Sequence, residues 1–230
     1  MNIRNIIIGL VVLALVIIGG AVAFLSFSAG DGEASQDIAD VAQTVDDAGT
    51  ATVMTIVSDE SEASFTLEED LRGTRTTVVG VTDQVGGEIA INFDNPTAST
   101  IGTITINART IATDNDFRNQ ALRSQILRSA RDEYEFITFE PTSITGLPDS
   151  ITIGETYTFD IIGNLTIIDT TEEVTFTTDV TIVSETEISG SASSSVIYAD
   201  WGINIPNVPG VANVETDADL VINFVARTAE

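Results

Sequence analysis

The stretch "TYTFDIIGNLTII", Thr156 to Ile168, alternates large apolar and polar side chains. One face carries Tyr157, Phe159, Ile161, Leu165 and Ile167, and the other carries Thr158, Asp160, Asn164 and Thr166. This alternation is typical of an antiparallel strand with one buried face. The same pattern occurs in "GEIAINFD" (87–94), "TITINA" (103–108), "EVTFTTDVTIV" (173–183) and "DLVINFVA" (219–226).

These strands belong to one all-β domain of roughly eight to ten strands. The turn signals "FDNP", "GLPDS" and "NVPG" separate them and indicate a meander. A meander with one apolar face per strand closes most simply into an antiparallel up-and-down barrel, and a two-sheet sandwich is the alternative. A barrel of about eight strands has room for one small ligand.

Small side chains occupy both faces of "SGSASSSV", Ser189 to Val196. The run is either a plain surface strand or a strand whose small inward residues leave space inside the barrel for a long ligand. The pattern does not choose between these two interpretations.

Composition excludes several kinds of function. The formal net charge is −26, from 35 acidic and 9 basic residues, so the chain lacks the basic face that nucleic-acid binding requires. It contains no cysteine or histidine, which removes thiol nucleophiles, zinc sites of the usual kind and histidine triads. "TDNDF" (113–117) lacks the glycine and the later glutamate of an EF-hand loop, so we expect no metal site. We also expect no catalytic residues, and an enzyme is the least favoured class.

An uncharged run of 22 residues, Ile6 to Phe27, precedes the domain. As a helix it would span about 33 Å, which matches the hydrocarbon core of a bilayer. Arg4 lies before the run and Asp31 and Glu33 follow it, so the positive-inside rule places the N-terminus in the cytoplasm and the domain outside. We therefore predict a single-pass anchor over residues 1–27. A cleaved signal peptide, which would give a secreted protein, is the alternative.

The next segment, residues 28–50, is small, polar and acidic, which predicts a flexible linker with a short helix around Ile38 to Val45. The barrel domain is then expected to occupy residues 51–230. The oligomeric state is left open by these patterns.

One stretch, "NDFRNQALRSQILRSARDEYEFITFEP" (115–141), holds four of the nine arginines and has a helical pattern. On a helix, Leu122, Ile126 and Ala130 form one apolar stripe, with Arg118 and Arg123 on its flanks. These two arginines either pair with neighbouring carboxylates and carbonyls or approach the polar head of a ligand.

Four stretches, in order, resemble the signature segments of the YceI-like family. They are "TITINARTIATDNDFRNQALRSQIL", "EYEFITFEPTSI", "GNLTIIDTTEEVTF" and "SSVIYADWGI", and the resemblance runs from about Ser61 to Phe224. Its strongest part is Asp114, Asn115, Arg118, Leu122, Arg123 and Ser124. The chain departs from the family pattern at Glu135, where the family usually has Pro, and at Tyr198, where it has a basic residue.

The resemblance implies an extended lipocalin-like antiparallel barrel with one short helical insertion, which binds a polyisoprenoid chain without catalysis. The expected ligand is thus an isoprenoid-type lipid, isoprenoid quinones included, with no further cofactor. We expect its apolar lining to include Ile104, Ile106, Leu122, Phe136, Phe139, Phe159, Ile161, Phe176 and Trp201. Trp201 could instead be a core or barrel-end residue. Arg118 and Arg123 are the expected head contacts. The alternative function is a cell-surface structural or interaction domain whose own side chains fill the core.

Overall fold

The structure is a computed structural model and describes residues 30–45 and 49–229. Its thirteen strands form one antiparallel sheet. They are β1 Thr52–Ile56, β2 Glu62–Leu71, β3 Thr74–Thr82, β4 Val85–Gly86, β5 Glu88–Ile91, β6 Thr100–Ile101, β7 Ile104–Asn107, β8 Phe136–Thr145, β9 Thr156–Ile167, β10 Thr170–Ser184, β11 Glu187–Ile197, β12 Val211–Ala212 and β13 Asp217–Arg227. The predicted membrane helix, Ile6 to Phe27, lies outside the described residues. Within 30–45 and 49–229, no helix is both long and apolar enough to cross a bilayer.

The sheet curls around an apolar interior. From β7 to β11, consecutive strands pair with one another, as predicted for a meander. Strand β11 then pairs with β13. Strand β4 pairs with β7, and β5, which follows β4 in the chain, pairs with β1. Strand β1 pairs in turn with β13. The all-β antiparallel class is therefore confirmed, as a curled half-barrel. The order is not a uniform meander, because the β2–β3 hairpin branches from β13.

Period-two burial explains why these sequences form strands. Along β10, the residues at every second position from Val174 to Ile182 are buried, and four of the five are large and apolar. Their neighbours on the other face are mainly Thr, Asp and Glu, which stay hydrated. Thr and β-branched residues also suit the pleated backbone. Alternation thus fixes which face of each strand lines the interior.

The helical part of the arginine-rich stretch is shorter than its sequence pattern predicts. An α-helix, Asp116–Ala121, continues as a π-turn, Leu122–Ile126, and the backbone leaves the helical region at Arg128, with φ of 56°. Ala130 therefore lies beyond the helix, and strand β8 has begun by Phe136. Only Leu122 and Ile126 of the predicted stripe remain on a helical face.

The segment predicted as a flexible linker packs against the sheet over its described part. The helix Ile38–Val41 contacts β4 and β7, and the Ile38 side chain is 2% exposed. Gly86 permits this approach, because a Cβ there would lie 3.0 Å from Ala42 Cβ. Both faces of β7 are consequently buried, and the face opposite Ile104 and Ile106, which includes Asn107, is not hydrated. Composition predicted a flexible linker because one apolar residue that becomes buried, Ile38, is a weak signal within a polar stretch.

Candidate functional site

The interior of the curled sheet contains two adjoining cavities with almost wholly apolar walls. The larger has a volume of about 180 Å³ and the smaller about 100 Å³. The larger is walled chiefly by Ile106, Leu122, Ile126, Ile137, Leu165 and Ile167, and the smaller by Ile89, Ile104, Ile144, Phe159, Ile161 and Val180. Such cavities suit hydrocarbon, because they offer a solute contact surface and few hydrogen bonds.

Three side chains belong to both cavities and separate them: Phe139, Phe176 and Ile222. The two rings meet edge to face, with centroids 5.0 Å apart and an interplanar angle of 70°. Edge-to-face contact is a preferred aromatic geometry. The interior is therefore one apolar channel with an aromatic partition, so a long ligand that occupied both halves would have to displace this pair.

Inward glycines lie beneath several of the lining rings. Gly80 on β3 stands directly opposite Phe65 on β2, and Gly190 on β11 stands opposite Phe224 on β13. A Cβ on Gly190 would come within 2.7 Å of Phe224 Cζ, and one on Gly80 within 2.6 Å of Phe65 Cζ. Each ring thus lies over its glycine, close to the sheet, and the glycines keep the centre of the channel open.

One wall of the larger cavity carries an ion pair. Arg118 Nη2 lies 3.0 Å from Glu69 Oε1, and the side chains are 17% and 9% exposed. The other terminal nitrogen of Arg118 donates to Asp114 Oδ1 at 2.7 Å. Asp114 itself is largely exposed. The cavity thus combines a hydrocarbon-like body with a single polar wall.

The sequence "TDNDF" positions that arginine. The Asn115 side chain caps the helix by accepting hydrogen bonds from the backbone N–H groups of Phe117 and Arg118. This is the usual role of Asn before the first helical residue. Asp114 also accepts a hydrogen bond from Arg118, four residues later. Asp114 and Asn115 therefore stabilise the start of the helix.

Seven of the nine predicted lining residues lie on the cavity walls. They are Ile104, Ile106, Leu122, Phe139, Phe159, Ile161 and Phe176. Phe136 does not, because it is three positions from Phe139 on β8 and period-two geometry puts it on the other face. Trp201 is buried behind the lining, where its Nε1 donates to the carbonyl of Leu165 at 2.9 Å. Their roles toward a ligand stay predictions.

The two predicted head contacts are separated in space. Arg118 lies on the wall of the larger cavity, and Arg123 does not. The Arg123 guanidinium lies against Gly32 instead, where a Cβ would be 2.9 Å from Nη1. Glu69 was not predicted as a site residue from the sequence. The alternation of Ala63, Phe65 and Leu67 extends to position 69 and would have placed Glu69 on the inward face.

A second polar cluster lies outside the channel. The Glu135 carboxylate is 1% exposed and lies 3.1 Å from Arg109 Nη1. It also accepts from Asn107 Nδ2 at 2.9 Å and from the hydroxyl and backbone N–H of Ser35 at 2.6 and 2.8 Å. This buried carboxylate, at a departure from the family pattern, thus holds the N-terminal segment on the domain.

The curled antiparallel sheet, its apolar channel and the helix on one side define a lipocalin-like domain. A family profile described as the YceI-like domain matches residues 54–226, so the chain belongs to this family, as its signature stretches predicted. By sequence alone, no curated protein matches the chain.

Solved structures share this fold at low sequence identity. A polyisoprenoid-binding domain from Saccharophagus degradans superposes with a TM-score of 0.58 at 14% identity, covering 78% of this chain and all of that one. BcnA from Burkholderia cenocepacia gives 0.57 at 13% identity, covering 74% of this chain and 98% of its own. A YCEI protein from Campylobacter jejuni gives 0.50 at 15%, covering 64% and 82%. These likenesses establish the fold.

Proposed function

We propose that this protein binds an isoprenoid-type lipid in the channel of its curled sheet, as a carrier or sequestering protein and not as an enzyme. The observation that carries the proposal is the pair of apolar cavities that meet at Phe139 and Phe176. A polyisoprenoid-binding relative with the same fold agrees with it.

The cavities weigh against the alternative of a self-filled structural domain. An empty apolar cavity costs roughly 24 cal/mol per Å³, so one of 180 Å³ would cost about 4 kcal/mol. That is a large fraction of the 5–15 kcal/mol by which domains are usually stable. A hydrocarbon chain would recover this cost at about 0.8 kcal/mol per buried methylene.

We further propose that the domain is exported and held at the membrane by Ile6 to Phe27, with the N-terminus in the cytoplasm. The charge asymmetry around that run supports this orientation. A lipid carrier at a membrane would have its hydrophobic ligand close by.

Mass spectrometry of a solvent extract of the purified protein tests the proposed ligand. We expect an isoprenoid lipid in near-equal molar amount, and a purified lipid-free protein that binds geranylgeraniol. Phe159→Asp puts a charge on the cavity wall and should abolish binding, since an unpaired charge cannot be buried cheaply against hydrocarbon.

The control is Thr175→Asp, which adds the same charge on the exposed face of the neighbouring strand. It should bind like the wild type. If no lipid is extracted and geranylgeraniol does not bind, the alternative of a structural domain whose own side chains fill the core is favoured.

A further inference from the structure

We propose that the channel selects an isoprenoid with an uncharged, oxygen-bearing head, such as an alcohol or a quinone, over one with a phosphate head. This inference rests on the proposed function and specifies the ligand of the same site. Its basis is the ion pair between Arg118 and Glu69 on the wall of the larger cavity.

The positive charge at this wall is already balanced. Arg118 is shared by two carboxylates, Glu69 at 3.0 Å and Asp114 at 2.7 Å. Arg118 is the one basic side chain among the described residues that line the larger cavity, and the Arg123 guanidinium lies at Gly32. The local charge is therefore about −1, on a protein of net charge −26.

A phosphate head would add negative charge beside the Glu69 carboxylate, whose side chain is only 9% exposed. Like charges that share a poorly hydrated site repel, and water screens them little there. The charge of Arg118 is already balanced by two carboxylates, so it offers a phosphate little net attraction. An anionic head thus gains little here and loses its own hydration.

An uncharged head group can form hydrogen bonds with the Arg118–Glu69 ion pair. A carboxylate has about four lone-pair positions and a guanidinium has five N–H donors, so each has capacity beyond their mutual contact. A hydroxyl can donate to Glu69 and accept from Arg118 at the same time, and a quinone carbonyl can accept from Arg118. Ser64 and Tyr198, which also line this cavity, are uncharged.

Two probes with the same chain, geranylgeraniol and geranylgeranyl monophosphate, separate the head from the chain. Binding to the full-length protein can be followed by the fluorescence of Trp201, the one tryptophan. Its Nε1 donates a hydrogen bond to the carbonyl of Leu165, a residue of the cavity wall. We expect the alcohol to bind at least about tenfold more tightly, a difference of about 1.4 kcal/mol. Equal or tighter binding of the phosphate overturns the inference. Failure of both probes to bind overturns the proposed function as well.

Glu69→Gln removes one negative charge from the wall and should shift the preference between the two probes toward the phosphate by about tenfold. The control Glu62→Gln makes the same change on the exposed outer face of β2 and should keep the wild-type preference. A Glu69→Gln protein that keeps the wild-type preference would contradict the charge argument. Because the wild-type comparison needs no variant, an unstable Glu69→Gln protein leaves the inference testable.

Discussion

At the scale of single residues, Glu135 shows how one buried carboxylate can hold a whole segment. Four donor groups surround it: a guanidinium, an amide, a hydroxyl and a backbone N–H. Buried charges are tolerated when they are paired and hydrogen-bonded in this way. Without Glu135, the buried Arg109 guanidinium keeps the exposed Asp132, 2.8 Å away, as its ion-pair partner.

Glu135→Ala should therefore destabilise the domain by about 1–3 kcal/mol, because it leaves the buried Asn107 amide without its acceptor and the Arg109 guanidinium with the exposed Asp132 as its ion-pair partner. Urea unfolding of the two proteins measures the difference. Glu133→Ala, two positions away and 64% exposed, should cost no more than about 1 kcal/mol. Similar losses for both variants would show that Glu135 contributes little to stability.

A second residue-scale prediction concerns pH. The Arg227 guanidinium, which bonds Glu60 at 2.6 and 2.9 Å, lowers the pKa of Glu60 below its ordinary value of 4.5. A lowered folded-state pKa means that the stabilisation is complete above the unfolded-state pKa and is lost as the pH falls through the folded-state value. Glu60→Gln should thus reduce the loss of melting temperature between about pH 5 and pH 3. The control Glu62→Gln, which has no ion pair among the described residues, should keep the wild-type slope.

At the scale of elements, the width of the channel depends on pairs of neighbouring strands. A ring on one strand lies over a glycine on the next, so two positions together decide how much space is left. Gly80 and Phe65 are the cleanest pair, because the nearest atoms to a Cβ on Gly80 all belong to the Phe65 ring, whereas Gly163 and Gly190 also face backbone carbonyls.

Gly80→Ala should push the Phe65 ring into the larger cavity and weaken lipid binding, with a packing cost of about 1–3 kcal/mol. Titration of geranylgeraniol against both proteins measures this loss. The double variant Gly80→Ala/Phe65→Leu removes the ring and should recover most of the affinity. If the single variant bound like the wild type, the glycine would be dispensable for channel width.

At the scale of the whole molecule, the packed N-terminal segment places the domain close to any anchor. Only residues 28 and 29 separate the predicted membrane span from Gly30, the first described residue. At about 3.5 Å per residue, the chain between Phe27 and Gly30 can reach roughly 10 Å. A retained anchor would therefore hold the domain near the bilayer surface.

Protease added to spheroplasts should digest the domain and leave cytoplasmic proteins intact, because the charge asymmetry predicts that the domain lies outside. The same cells permeabilised with detergent are the control for protease activity. Intact mass of the purified protein tests the anchor itself. A mature N-terminus near Ser28 would mean that the run is cleaved and the protein is secreted.

Much of the fold could be predicted from local patterns. Alternation along β9, β10 and β13 is a property of neighbouring residues, and it specified the antiparallel class and the inward residues such as Phe159 and Phe176. The prediction of Phe136 as a lining residue did not follow this rule, because Phe136 is an odd number of positions from Phe139 and so lies on the other face of β8.

The sequence by itself therefore determined the strand faces, the acidic character and the family, because each is encoded in composition or in short spacings. Only the tertiary structure decided that Glu69 meets Arg118, 49 residues apart in the chain, and that Ser35 bonds Glu135 across 100 residues. It also decided which rings lie over which glycines. These pairings depend on strand register and on the curl of the sheet, which bring together residues that share no local pattern.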